Sequence, residues 1–414
     1  MKNLTLKTLA ALGLLAGLHT AAQSQNDDLL KKSRQIHDKV LTIDTHNDTP
    51  MRFRSADFNM GERNDFQKDG SRVDFVRMKD GGLDGAFFAV FTGQGPLTEE
   101  GRESAYRRAS ETLESVMQTV EKHSGIAGMA TTHAEAYQLE KQDKRIVFIG
   151  LENGYPVGLE LTRVGEFYQR GIRYITLCHS ANNDICDSST DRQGALHNGL
   201  SAFGREVVQE MNRLGMMVDV SHISDKSFYD VIELSRAPVI ASHSSVRAIC
   251  DSPRNLSDEM IKALAKNGGV IQICILSSYI INPQPNPERD AAMAQLQQKY
   301  PEYDRLTDEE KRQFRTEMNS IRRTYPSPLA TVSDAVDHID HVVKIAGIDH
   351  VGIGTDFDGG GGLADCRDVS EMDRITLELV KRGYTEEQIR KIWEGNIMRV
   401  LEANQKIAAL LRGE

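Results

Sequence analysis

Leu41-Thr42-Ile43-Asp44-Thr45-His46-Asn47-Asp48-Thr49-Pro50 reads as a buried strand that ends in ligands. Val40, Leu41 and Ile43 carry the chain inward, and the strand's period of two places His46 and Asp48 on one face. Pro50 stops the pairing. An imidazole and a carboxylate projecting together from a strand end suit a divalent cation, because zinc accepts nitrogen and oxygen at short range. A turn capped by an aspartate explains one such triplet equally well. The rest of the chain has to decide between them.

Working outward, β-branched or aromatic runs recur at 40–48, 83–91, 145–152, 172–179, 215–222, 238–243, 269–276 and 350–356, and most are separated by stretches of helical periodicity. That alternation predicts parallel strands with crossover helices. Eight runs close a (β/α)8 barrel of the TIM type, an α/β fold. A doubly wound open sheet is the alternative, since alternation does not show closure. Helices are expected at 101–123, 131–141, 159–169, 201–214, 225–235, 257–267, 332–346 and within 369–412. Residues 281–330 break the rhythm with prolines and a charged stretch, and read as an insertion after the seventh strand. No repeat or low-complexity linker appears, so residues 25–414 read as a single barrel domain.

The net charge of -10 gives no basic field for nucleic acid or anionic lipid, which leaves small molecules or peptides as partners. Residues 1–24 read as a signal peptide: Lys2 and Lys7 precede an apolar run from Leu9 to Leu18, and small residues follow around Ala22. The run is too short for the roughly 20 residues that span a bilayer. With no cysteine near the cleavage point and no apolar C-terminal tail, no membrane anchor is evident. The mature protein is expected to be secreted or periplasmic. Five cysteines form no Cys-x-x-Cys pair, so a zinc knuckle is not indicated. Cys274 reads as a buried thiol, while a bridge between Cys178 and Cys186 is left open.

Barrel enzymes build their sites at the C-terminal ends of the strands. The polar residues there are His46 and Asp48 on the first run, Glu152 on the third, His179 on the fourth, His222 on the fifth, His243 on the sixth and Asp356 on the eighth. Any one has a structural explanation. Six of eight strand ends carrying metal-type groups together point to a metal site.

The residues also carry a resemblance. Asp44-Thr45-His46-Asn47-Asp48, Gly150-Leu151-Glu152-Asn153-Gly154, Thr176-Leu177-Cys178-His179-Ser180, Asp219-Val220-Ser221-His222, Ala241-Ser242-His243-Ser244-Ser245 and Gly352-Ile353-Gly354-Thr355-Asp356-Phe357-Asp358-Gly359 resemble, in order and spacing, the motif series of the renal (membrane) dipeptidase family. The resemblance implies an amidohydrolase-type barrel with two Zn2+ that cleaves dipeptides, and a homodimer. It implies that His46 and Asp48 hold one zinc, that His222 and His243 hold the other, and that Glu152 and a water or hydroxide bridge them. His179, Arg254 and Asp356 are implied as catalytic and substrate-binding residues. The loop Ser180–Cys186 lacks the tryptophan expected from mammalian relatives, so side-chain preference stays open.

The residue types fit that chemistry. Two zinc ions carry +4 against -3 from Asp48, Glu152 and a hydroxide, which keeps the hydroxide ionised near neutral pH. Asp356 suits a base that later acts as an acid, and it can also hold the substrate's ammonium. His179 can donate to the developing oxyanion. Arg254, in Ser252-Pro253-Arg254-Asn255, offers a planar fork for a C-terminal carboxylate. Gly359–Gly362 reads as a flexible loop, and Asp337-His338-Ile339-Asp340-His341 as a solvated helix face.

Two other chemistries compete. A mononuclear deaminase or other amide hydrolase on the same barrel usually has His-x-His on its first strand, where this chain has His-x-Asp. A non-catalytic barrel would have lost a ligand or the acid at 356, and none is lost.

Overall fold

Strand Arg145–Glu152 (β4) is buried along its whole length, and Gly85–Phe91 (β2) is buried up to its last residue. Strands covered on both faces belong to parallel sheets sheathed in helices. In the computed structural model, which describes residues 26–55, 57–301 and 306–414, every expected run contains a strand. The others are Ile43–Asn47 (β1), Ile172–Thr176 (β5), Met217–Asp219 (β6), Ile240–Ser244 (β7), Val270–Ile273 (β8) and Val351–Ile353 (β9). Pairing runs β1-β2-β4-β5-β6-β7-β8-β9, all parallel. The two ends meet through a parallel bridge between Asn47 and Phe357. There Asp356 N–H donates to His46 O at 2.9 Å and Asp48 N–H donates to Phe357 O at 2.8 Å, which favours the barrel over the open sheet. The signal peptide read at 1–24 lies outside the described residues.

One strand escaped the sequence reading. Ala127–Met129 (β3) pairs with the first half of β4, while β5 pairs with its second half. Three residues are too few for a period of two to register. The ladder also shifts register within β1, between Asp44 and Asn47, and within β7, between Ala241 and Ser244. Both irregularities bracket an expected ligand, His46 and His243, and such shifts re-aim side chains next to active sites.

The barrel interior is filled by Ile43, Phe87, Ile146, Phe148, Tyr174, Met217, Ile240 and Val270, and the C-terminal helix closes one end with Ile397, Met398, Val400 and Leu401. Phe87 stacks on Phe148 with centroids 4.6 Å apart. Gly150 makes room for Tyr174, because a Cβ there would lie 2.0 Å from the phenol ring. The outer helices begin with side-chain caps, such as Ser257 accepting from Met260 N–H. The insertion is a hairpin of helices Pro287–Lys299 and Asp308–Thr324. It returns to helix Val332–Ala346, as the sequence predicts.

That last helix corrects one reading. His338 does not face solvent: it is fully buried, accepts from Val246 N–H at 2.9 Å through Nδ1 and donates to Ile280 O at 2.9 Å through Nε2. His341 pairs with Asp258 at 2.8 Å. Cys178, Cys186 and Cys274 are buried free thiols, so the bridge left open is not formed.

Candidate metal centre and substrate clamp

Several site residues leave the regular strand before they act. β6 ends at Asp219 and β9 at Ile353, so His222 and Asp356 sit on the turns beyond, with positive φ of 71° and 58°. Residues other than glycine adopt that backbone at a cost of about 1–3 kcal/mol, and such strain collects at functional sites. β1 likewise ends at Asn47, and Asp48 starts a 3-10 turn carrying Pro50.

The turns converge on Glu152. Its Oε2 lies 3.5 Å from His46 Nε2, and its Oε1 lies 3.2 Å from His222 Nε2 and 3.6 Å from His243 Nε2. Asp48 Oδ2 is 3.8 Å from His46 Nε2. The Nε2 atoms of His222 and His243 face each other at 2.7 Å. Each oxygen of one carboxylate therefore faces a different set of imidazoles. His179 Nε2 also lies 3.5 Å from Glu152 Oε1, so distance alone does not separate it from the ligand candidates. Its side chain is 25% exposed against 8% or less for the others, which fits a residue facing substrate.

These donors fit a cation. His46 Nε2 and Asp48 Oδ1 are buried without a hydrogen-bond partner, which a protein does not leave without reason. The second ring nitrogen of His46 is committed: Tyr174 Oη donates to Thr45 O at 3.2 Å, which leaves it to accept from His46 Nδ1 at 2.9 Å. In the neutral ring Nε2 is then the bare nitrogen, the form that binds metal.

Burial lowers the His46 pKa, but Tyr174, Glu152 and Asp48 outweigh it and hold it well above its usual range, so a cation entering beside Glu152 would have to displace that proton. Burial, then the charge of Glu152, pushes the Asp48 carboxyl up to about 6. Asp356 is pushed well above the usual carboxylate range by burial and by Asp48 and Glu152. Carboxylates crowded together in a low-dielectric pocket call for positive charge between them. Burial and the Arg254 guanidinium push His222 well below its usual range, and burial with His46 and Arg254 does the same for His243, so both stay neutral as ligands must. His179 is lowered to about 4 by burial and Arg254 and is a neutral donor at pH 7.

Arg254 is 4% exposed, donates from Nη2 to His243 O at 3.1 Å and keeps a buried Nε–H without a partner. The Tyr279 ring lies 5.2 Å from its Cζ. The sequence reading did not single out Tyr279, and read Cys274 only as a buried thiol, whose Sγ is 3.9 Å from Asp356 Oδ2. Asp44, Tyr174 and Asp219 were also missed as supports. Their signal was present as polar side chains inside apolar runs.

The run Gly359–Gly362 is also not the free loop expected. The N–H groups of Gly359, Gly360 and Gly361 all donate to Asp356 O, at 3.2, 3.0 and 2.7 Å.

Comparison with known proteins follows the same lines. The family model described as membrane dipeptidase (peptidase family M19) matches residues 30–413. The chain is 30% identical to dipeptidase tcpJ of Claviceps purpurea over 89% of this chain and 78% of that one. It is 29% identical to dipeptidase 3 of Macaca fascicularis over 92% and 68%. The crystal structure of the probable dipeptidase PvdM from Pseudomonas aeruginosa superposes with a TM-score of 0.83 at 28% identity, covering 92% of this chain and 99% of that one. With the barrel closed and the motif residues gathered at one end of it, the chain belongs to the membrane dipeptidase family, peptidase family M19, and is a metallopeptidase of that type.

Proposed function

We propose that this protein is an exported, zinc-dependent dipeptidase holding two Zn2+ ions, one by His46 and Asp48, the other by His222 and His243, with Glu152 shared. The observation that carries the reading is the split of Glu152, whose Oε2 faces His46 while Oε1 faces His222 and His243. When bound, the ions supply Lewis-acid charge that activates water and polarises the scissile carbonyl. The chain's own residues do the rest. Asp356 takes a proton from the attacking water and returns it to the departing amine, a task that suits a carboxylate whose oxygen lies beside those of Asp48 and the His46 ring nitrogen. His179, neutral and partly exposed, donates to the carbonyl oxygen as charge develops on it. Arg254 receives the C-terminal carboxylate on its unpartnered Nε–H.

The test combines elemental analysis with a dipeptide panel. The mature protein is expected to carry two zinc equivalents and to hydrolyse dipeptides, and Glu152→Ala to lower both equivalents together. A Glu152→Ala protein that keeps both ions at wild-type affinity removes Glu152 from the shared position.

A further inference from the structure

Asp219 touches none of the reacting groups, yet it is fully buried and accepts four hydrogen bonds. Its Oδ1 accepts from Ser221 N–H at 3.0 Å and Ser242 N–H at 2.9 Å, the residues immediately before His222 and His243. Its Oδ2 accepts from Thr176 Oγ1 at 2.5 Å and from Ser242 Oγ at 2.6 Å. Ser242 Oγ lies 2.8 Å from His243 Nδ1. A carboxylate only accepts, so the Ser242 hydroxyl spends its proton on Asp219 and turns a lone pair to His243. His243 Nδ1 must then carry the ring proton, and Nε2, which faces Glu152 and His222, is bare.

We propose that Asp219 is a positioning residue that acts through Ser242 to fix His243 as the Nδ1–H tautomer, and so sets the zinc affinity of the His222–His243 half of the site alone. The inference rests on the two-ion reading above. The other half has separate support, since His46 is backed by Tyr174 and Thr45 O. Hydrogen-bonded partners of metal-bound histidines fix tautomer and orientation, and their loss typically costs about 10–100-fold in metal affinity.

Asp219→Asn is the sharp test because the polarity of the relay reverses at nearly constant shape. The backbone N–H groups of Ser221 and Ser242 can only donate, so they hold the amide oxygen, and the amide NH2 is forced toward Ser242 Oγ and Thr176 Oγ1. Ser242 then accepts from the amide and donates to His243 Nδ1, which moves the ring proton to Nε2, the wrong nitrogen for the ion.

Zinc-stripped mature protein would be titrated with Zn2+ against a chromophoric chelator, and the histidine tautomers of the stripped protein read by long-range 15N correlation spectra. Expected are two tight equivalents in wild type, and in Asp219→Asn one equivalent at wild-type affinity with the other weakened about 10–100-fold. The His243 signal should change from the Nδ1–H to the Nε2–H pattern. Ser242→Ala, which removes one hydroxyl and keeps the backbone bonds to Asp219, should weaken the same single equivalent. It therefore carries the test if Asp219→Asn fails to fold. Unchanged affinities in both variants, or an Nε2–H tautomer at His243 in wild type, would overturn the inference. A wild-type protein binding fewer than two ions defeats the two-ion reading instead, and the tautomer spectra still decide the relay.

Discussion

A methyl group at position 359 would lie 2.0 Å from Asp48 Oδ2 and 2.3 Å from Asp356 Oδ1, so the missing Cβ of Gly359 is what lets the two carboxylates share one corner. Gly359→Ala is expected to lower kcat/KM for a dipeptide by at least about tenfold, some 1.4 kcal/mol of transition-state stabilisation, while the melting temperature moves little. Steady-state kinetics beside a thermal melt check this. Arg254→Ala is expected to cost about 1.5–3 kcal/mol, roughly tenfold to a hundredfold in kcat/KM for a dipeptide, with metal content intact. A dipeptide amide has no carboxylate to lose and should suffer much less. Equal damage to both substrates would deny Arg254 the clamp role. His338 gives a pH test. Burial lowers its pKa, and the Ile280 carbonyl and Asp337 only partly offset that. The unfolded chain takes up this proton near the ordinary value of about 6.5 while the folded chain resists it, so the contribution to stability is full above that pH and lost as pH falls below it. Urea midpoints between pH 7.5 and 5.5 should therefore fall less steeply in His338→Asn than in wild type. At this scale the sequence named the side chains that gather around Glu152, because their chemistry is in their identity. It misjudged His338 and Gly359, whose roles are set by what other strands bring within a few ångströms of them.

The strands show a similar division between what periodicity can and cannot announce. Runs long enough for their burial to repeat, such as Arg145–Glu152, matched strands end to end. Runs that lead into site turns did not: 215–222 contracts to Met217–Asp219 and 350–356 to Val351–Ile353, because the backbone turns into positive φ at His222 and Asp356 while the side chains stay apolar or buried. Burial without pairing looks like strand in a sequence. Helix starts were easier, since capping is local chemistry. In helix Val332–Ala346, Thr331 Oγ1 accepts from Asp334 N–H at 3.2 Å and Asp334 Oδ2 accepts from Thr331 N–H at 2.7 Å. Thr331→Ala is expected to destabilise the protein by about 1 kcal/mol, read as a lower urea midpoint at unchanged slope. A variant as stable as wild type would mean that packing of the buried face, Val332, Ala335, Val336 and Ile339, holds this helix unaided.

Across the whole molecule, closure joins the first strand to the last. Asp44, fully buried, accepts from Thr355 N–H at 2.7 Å and from Thr355 Oγ1 at 2.8 Å, a contact that spans 311 residues. A chain stopped at Gly347 would keep all five proposed metal ligands but lack β9, Thr355 and Asp356. It is expected to be cut readily by a protease that spares the full-length fold and to bind zinc at least about tenfold more weakly, measured by limited proteolysis and chelator competition. Such long-range pairing is slow to form, because the entropy of closing the loop must be met before the contact returns anything. The order in which the chain is made then becomes an order of assembly. His46 and Asp48 emerge early and wait, His222 and His243 arrive together in mid-chain, and the acid proposed at 356 comes almost last. A chain still being made would carry the proposed ligands of a peptidase without its proposed acid, and activity is expected only when synthesis is nearly over.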